Sequence, residues 1–258
     1  MGIVAFHWEN KQLTLLHNRD NFDYWRIKAA DWDKKEEILS GWIEQLGGTW
    51  CGISKSGRVA FLVDSDSFSN GLNRCLNSAK LPAEFLATSW SPAEFASMVA
   101  KRDSFNTGLA YNLIVADITS NTMSYISKPL AKKKNVHTEN VGFGVHILSL
   151  AGLDAKSPKD LRLRHHFMEM LIGDYKNKPL KEIATRLMYD PNEAVKGDKL
   201  SAIFVDSMIQ INRGEKRRYR TTCTTALTVN PDKEVKFFEG YLMISGQWKE
   251  HDFTFQLD

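Results

Sequence analysis

Ile3-Val4-Ala5-Phe6-His7-Trp8, a polar break at Glu9-Asn10-Lys11, and then Gln12-Leu13-Thr14-Leu15-Leu16-His17 form the first legible unit of the sequence. Two runs rich in β-branched and aromatic residues, parted by a short polar turn, predict a pair of antiparallel strands. Similar runs recur at Arg58–Asp64, Tyr111–Asp117 and Met123–Ser127, and again at Ser201–Val205, Thr221–Val229, Val235–Glu239 and Trp248–Phe255. Asn230-Pro231-Asp232 separates two of the later runs as a turn, because proline presets its backbone angle.

Helix signals lie between these two groups of strands. Ser91-Pro92-Ala93-Glu94 has the form of a capping box, with Pro92 at the first helical position and Phe95, Met98 and Val99 as an apolar stripe behind it. Ser157-Pro158-Lys159-Asp160 opens a second helix in the same way. Leu161, Met168, Leu171 and Ile172 are its expected buried face and Gly173 its stop. A third helix starts at Pro179 and carries Leu180, Ile183, Leu187 and Met188. Strands, then helices, then strands predict an α+β fold, one domain over residues 1–258 whose two ends share a sheet.

Composition narrows the function classes. Hydrophobic residues at 43% and charged residues at 25% are near the average of a packed globular protein. Cys51, Cys75 and Cys223 are odd in number and widely spaced, which argues against a disulfide framework or a structural zinc site and for a reducing compartment. No apolar run approaches the ~20 residues that span a bilayer, and Met1 to Trp8 lacks a basic leader. Met1-Gly2 invites a myristoylation reading, but Phe6 stands where that motif wants Ser or Thr. The expectation is a cytoplasmic protein that is not an integral membrane protein. A net charge of +3 is too small for a nucleic-acid footprint, so no nucleic acid is expected. Lys132-Lys133-Lys134 and Lys216-Arg217-Arg218 read as solvated turns, whereas Arg220 runs into a strand.

Asn18-Arg19-Asp20-Asn21-Phe22, directly after the second strand, resembles the Asn-Arg-Asp-Glu-Phe signature of the NRDE (Transport and Golgi organisation 2) family. Gly47-Gly48-Thr49-Trp50-Cys51-Gly52 resembles that family's Gly-Gly-Thr-Trp-x-Gly block. Further blocks follow in order at Pro82 to Ala100, Tyr111 to Asp117, Arg220-Thr221-Thr222 with Thr225-Ala226-Leu227, Phe238-Glu239 and Trp248-Lys249-Glu250. The family is similar in layout to N-terminal nucleophile hydrolases of the penicillin V acylase and bile-salt hydrolase kind. The resemblance therefore implies a four-layer αββα sandwich of mainly antiparallel sheets. Those enzymes head their first strand with a cysteine whose own α-amine serves as base, flanked by an arginine, an aspartate and a later arginine. Arg19, Asp20 and Arg220 stand where such partners are expected, and many family members begin Met-Cys.

Gly2 stands at the nucleophile's position and supplies no attacking atom, so no catalytic residue is assigned. Cys51 is the possible substitute, although a buried cysteine more often behaves as a small hydrophobe. Two accounts of the signature remain. In one, Arg19 and Asp20 satisfy buried partners and close the fold. In the other, Asn18, Arg19, Asp20, Trp50 and Arg220 border an inherited cleft, with Arg19 and Arg220 binding an acid group and Trp50 forming an apolar wall.

The resemblance also implies intracellular haem trafficking: a non-enzymatic, chaperone-like protein that binds haem reversibly and passes it to haem-accepting proteins. Haem asks for a flat apolar slot, donors for two propionates and sometimes an axial ligand, for which His146, His7 and His17 are the candidates. His165 and His166 read as a solvated pair, and no Cys-x-x-Cys-His attachment motif exists. No metal is expected beyond haem iron. An amidohydrolase or acyl transferase with an unconventional nucleophile, and a lipid- or acyl-CoA-binding regulator, are the alternatives.

Overall fold

In the computed structural model, residues 2–22, 27–43, 47–65, 78–102, 110–129, 135–173, 175, 178–212 and 214–258 are described. Cys75 and the lysine run at 132–134 lie outside them.

Strand β1 (Gly2–Glu9) turns at residues 10–11 into β2 (Gln12–Phe22), with Glu9 opposite Gln12 and Gly2 opposite Arg19. Strand β2 is longer than alternation alone suggested. It carries the whole of Asn18–Phe22, because β13 (Glu215–Val229) pairs with it from Leu13↔Val229 to Tyr219↔Phe22. A bulge between Thr221 and Cys223 interrupts that pairing beside the signature. Strands β10 (Gly144–Ser149) and β11 (Gly152–Leu153) extend the sheet on the β1 side. Strands β14 (Glu234–Leu242) and β15 (Trp248–Gln256) extend it beyond β13, giving the order β11-β10-β1-β2-β13-β14-β15, with β12 (Asp206–Asn212) beside the first half of β13. The two ends of the chain share this sheet.

The second sheet is a sequential antiparallel meander: β3 (Ile27–Trp32), β4 (Ile38–Ile43), β5 (Cys51–Ser54), β6 (Arg58–Asp64), β7 (Tyr111–Asp117), β8 (Thr122–Lys128) and β9 (His137–Asn140). Its inner face meets that of the first sheet in an apolar layer containing Phe6, Leu15, Phe61, Ile114, Leu227 and Phe237. Helices α1 (Lys80–Ala87) and α2 (Pro92–Lys101) cover the second sheet, while α3 (Pro158–Ile172) and α4 (Leu180–Met188) cover the first. The result is α+β: two antiparallel sheets between two helical layers.

Both expected capping boxes form. The Ser91 Oγ accepts from the Glu94 amide and the Glu94 carboxylate accepts from the Ser91 amide, and Ser157 and Asp160 repeat the exchange. Three expectations are corrected. Lys216, Arg217 and Arg218 are exposed but lie within β13, paired with β12, rather than in a turn. Residues 201–205 are not a strand: a 3₁₀ turn at Lys199–Ser201 leads into bends, and pairing begins only at Asp206. Ile203 and Val205 are apolar because they are buried, not because they pair. On α3 the buried face is Leu163 and Phe167, while Leu161 is 50% and Ile172 86% exposed. Two apolar stripes run along that helix, and spacing does not say which one packs.

Candidate functional site

Consecutive residues of a strand point to opposite faces, so the signature on β2 reaches three different parts of the molecule. Asn18 is buried against the helical layer. Its Nδ2 donates to the Met188 and Ile203 carbonyls at 2.6 and 3.0 Å, and its Oδ1 accepts from the Thr224 hydroxyl at 2.7 Å. One of those carbonyls closes α4, where backbone donors run out. Asp20 accepts from the Thr221 hydroxyl at 2.7 Å, and the Lys159 ammonium of α3 lies 3.8 Å from its other oxygen. Arg19 points between the sheets, its guanidinium 4.3 Å above the Trp50 ring.

Around Arg19 the inter-sheet layer turns polar. Glu239, buried on β14, accepts from the Ala30 amide at 2.5 Å and from the Cys223 thiol at 3.3 Å. His251 Nδ1 lies 3.1 Å from the Ala30 carbonyl oxygen, so both backbone groups of Ala30 are held by side chains of the facing sheet. They are available because a register shift between Lys28 and Asp31 breaks the β3–β4 ladder there. Burial pushes the Glu239 carboxyl up to about 7, against the pull of its hydrogen bonds and of Arg19. Burial and the Glu239 charge likewise push the Cys51 and Cys223 thiols up. The space is tight: a Cβ on Gly41 would lie 2.7 Å from Glu239 Oε1 and 2.7 Å from the Trp50 ring. Gly41→Ala is therefore expected to cost about 1–3 kcal/mol of stability, as overpacking does, measurable as a lower urea midpoint with an unchanged m-value.

Two clefts open near the end of the β2–β13 pairing. The first, of about 250 Å³, is lined by Gly2, Asp20, Leu150, Lys159, Asp160 and Tyr219 among others. The second, of about 230 Å³, is lined by Phe22, Ile27, Arg220, Thr222 and Tyr241 to Ser245. Of the five expected cleft residues, Asp20 thus borders the first and Arg220 the second. Asn18, Arg19 and Trp50 are engaged inside the layers. At Gly2 a Cβ would lie 2.2 Å from the Asn18 carbonyl oxygen, so the strand is built around the absence of a side chain there.

The histidines are dispersed. His146 lies in strand β10. It is stacked on Phe6 with ring centroids 5.1 Å apart, and its two ring nitrogens contact Asp154 at 2.8 Å and the Gly142 carbonyl at 3.0 Å. His7 pairs with Glu9 at 3.3 Å and lines a separate hollow between α4 and the β13–β14 turn. His17 is buried, and burial together with the Arg19 charge lowers its pKa to about 3, so it remains neutral. His165 and His166 both lie near Glu169 on the exposed side of α3.

The sequence matches the family described as Transport and Golgi organisation 2 over residues 1–243. The chain belongs to this family. A Transport and Golgi organization protein 2 homolog of Bos taurus is 33% identical over 114 residues, covering 42% of this chain and 40% of the bovine one. The match therefore spans less than half of that relative's length.

Among solved structures, a mutant conjugated bile acid hydrolase of Clostridium perfringens aligns with a TM-score of 0.51 at 10% identity, covering 100% of this chain and 97% of the hydrolase. A second variant of that hydrolase gives 0.50 at 11% identity over 99% and 97% of the two chains. These likenesses show that this Transport and Golgi organisation 2 member shares the layered αββα fold of N-terminal nucleophile hydrolases.

Within that frame, Glu239, Lys159, Asp160, Tyr241 and Met243 join the sites without having been singled out as site residues. Glu239 had a readable signal: alternation puts it on the same face of β14 as Val235 and Phe237, an acid in an apolar row.

Proposed function

We propose that this protein binds haem reversibly in the Arg220 cleft and passes it to acceptor proteins in the cytoplasm, rather than cleaving an acyl amide. Haem is the cargo implied by the family resemblance. The observation that carries the reading is the make-up of that cleft. Arg220 presents a planar fork of donors suited to a propionate, and Phe22, Ile27, Leu242 and Met243 form apolar walls. Ile244, at the hairpin beside it, is 84% exposed, so apolar surface continues outward from the cleft. Tyr241 and Met243 offer oxygen and sulfur to iron, and none of His7, His17 or His146 lines this cleft. At about 230 Å³ it is smaller than the roughly 300–1,000 Å³ of a pocket that encloses its ligand. A tetrapyrrole would be held by one edge and left open for handover.

Against hydrolysis stand Gly2 at the head of β1 and the burial of Cys51 and Cys223, whose raised pKa values keep them as thiols. Adding haem to the purified protein is expected to give a saturable Soret shift at one equivalent. Arg220→Ala is expected to weaken binding by about 1–3 kcal/mol, roughly 5- to 150-fold. Spectra matching haem mixed with an inert protein would sink the proposal. Turnover of acylated amines or thioesters that a thiol-blocking reagent abolishes would replace it with the hydrolase reading. A lipid or acyl-CoA recovered by native mass spectrometry would point to the third.

A further inference from the structure

The Gly2 cleft has a chemistry of its own, separate from the Arg220 cleft. At its base lies the first turn of α3, a helix of 15 residues whose capping box occupies both partners: the Asp160 amide donates to Ser157 Oγ, and Asp160 Oδ2 accepts from the Ser157 amide. The other oxygen, Asp160 Oδ1, is buried without a hydrogen-bond partner, on a side chain that is 1% exposed and lines the cleft. A buried carboxylate oxygen with no donor is costly, and few persist without a role. Asp20, 3% exposed, borders the same space, and its Oδ2 lies 3.8 Å from Lys159. The cleft lining thus carries three carboxyl groups, those of Asp20, Asp160 and Asp198, and one ammonium, which is already set against Asp20. The walls are apolar, formed by Leu150, Pro158, Val195, Leu200 and Val205.

An anion would meet Asp160 Oδ1 and be repelled, although a helix N-terminus ordinarily favours one. A neutral apolar molecule would leave that oxygen without a donor. A cation with N–H groups and a short apolar body meets both requirements. We infer that the Gly2 cleft binds a small primary alkylamine, its ammonium donating to Asp160 Oδ1 and its carbon chain lying against Leu150, Val195 and Leu200.

The test is a titration of the full chain, without haem, with n-butylammonium chloride, followed by amide NMR shifts and calorimetry. Sodium butyrate and tetramethylammonium chloride serve as controls. Saturable shifts at Gly2, Leu150 and Val205 are expected with butylammonium alone; tetramethylammonium carries charge but no N–H. In Asp160→Asn the amide oxygen can keep the Ser157 contact while its NH2 turns to the cleft, so affinity is expected to fall at least tenfold with the melting temperature little changed. Lys159→Met removes the competing ammonium and is expected to tighten binding several-fold, which keeps the test decisive if Asp160→Asn folds poorly. Butyrate binding as tightly as butylammonium, no saturable shift, or no change in affinity in either variant would overturn the inference. None of these outcomes bears on haem at Arg220.

Discussion

Asn18→Ala is expected to be the most damaging single substitution in the signature, removing about 3–5 kcal/mol of folding stability. The loss comes from the buried groups left without partners. The Asn18 amide satisfies the Met188 and Ile203 carbonyls and accepts from the Thr224 hydroxyl, all within the buried interface between the first sheet and its helices. Each buried group stripped of its partner costs about 1–3 kcal/mol, and alanine fills none of the space. Losses above ~4 kcal/mol are unusual and mark a broken buried network. Urea unfolding at pH 7 measures the effect, with Thr224→Val as a partial version that removes one of the three bonds. A loss below ~1 kcal/mol would show that water or rearrangement takes over the amide's role.

The same geometry gives the signature a mechanical meaning. On the middle strand of the first sheet, Asn18 ties β2 to the end of α4, Arg19 stacks on Trp50 across the sandwich, and Asp20 reaches Thr221 and the start of α3. Three neighbours thereby link the first sheet to its helices, to its own β13 and to the opposite sheet. Asn18 and Arg19 are engaged within the layers. Asp20 is held by Thr221 and also borders a cleft.

What could be read from the sequence follows from the range of each interaction. The first hairpin and both capping boxes depend on residues within a few positions of one another, and each forms as local chemistry directs. Strand β4, Ile38-Leu39-Ser40-Gly41-Trp42-Ile43, gave no alternation to read because both of its faces are largely covered. Strand β12 mixes Met208, Ile209 and Ile211 with polar residues, shows no clean alternation, and forms by pairing with Glu215–Arg220. At the site, the identity of Asn18-Arg19-Asp20 was legible and its contacts were not, since Asn18 meets Met188 and Thr224, 170 and 206 residues away. Arg19 and Arg220 look equivalent as charges in sequence. The structure sends one between the sheets and the other to a cleft, with the bulge between Thr221 and Cys223 lying between their positions along β13.

Glu239→Gln is expected to raise stability above pH 7 and to flatten its pH dependence. Among the described residues, this carboxyl is faced by Arg19 from β2, Ala30 from β3, Gly41 from β4, Trp50 and Cys51 from the stretch opening β5, Cys223 from β13 and His251 from β15. Only Arg19 among them is a permanent cation, and it is shared with the Trp50 ring. Burial therefore dominates and lifts the Glu239 pKa from 4.5 to about 7. A folded-state pKa raised in this way makes protonation favour the fold. Its contribution is fully present below pH 4.5, declines as pH rises, and is lost above about 7. At 1.36 kcal/mol per pKa unit the swing is about 3 kcal/mol. Glutamine keeps an acceptor for the Ala30 amide and cannot ionise. The stability difference between variant and wild type should thus grow in the variant's favour from pH 4.5 to 8. Urea melts of both proteins across that range read it directly. A variant less stable than wild type at pH 8 would mean that Glu239 is held as an anion by Arg19. The polar layer between the sheets would then be an ion pair rather than a buried acid clasping the peptide of Ala30.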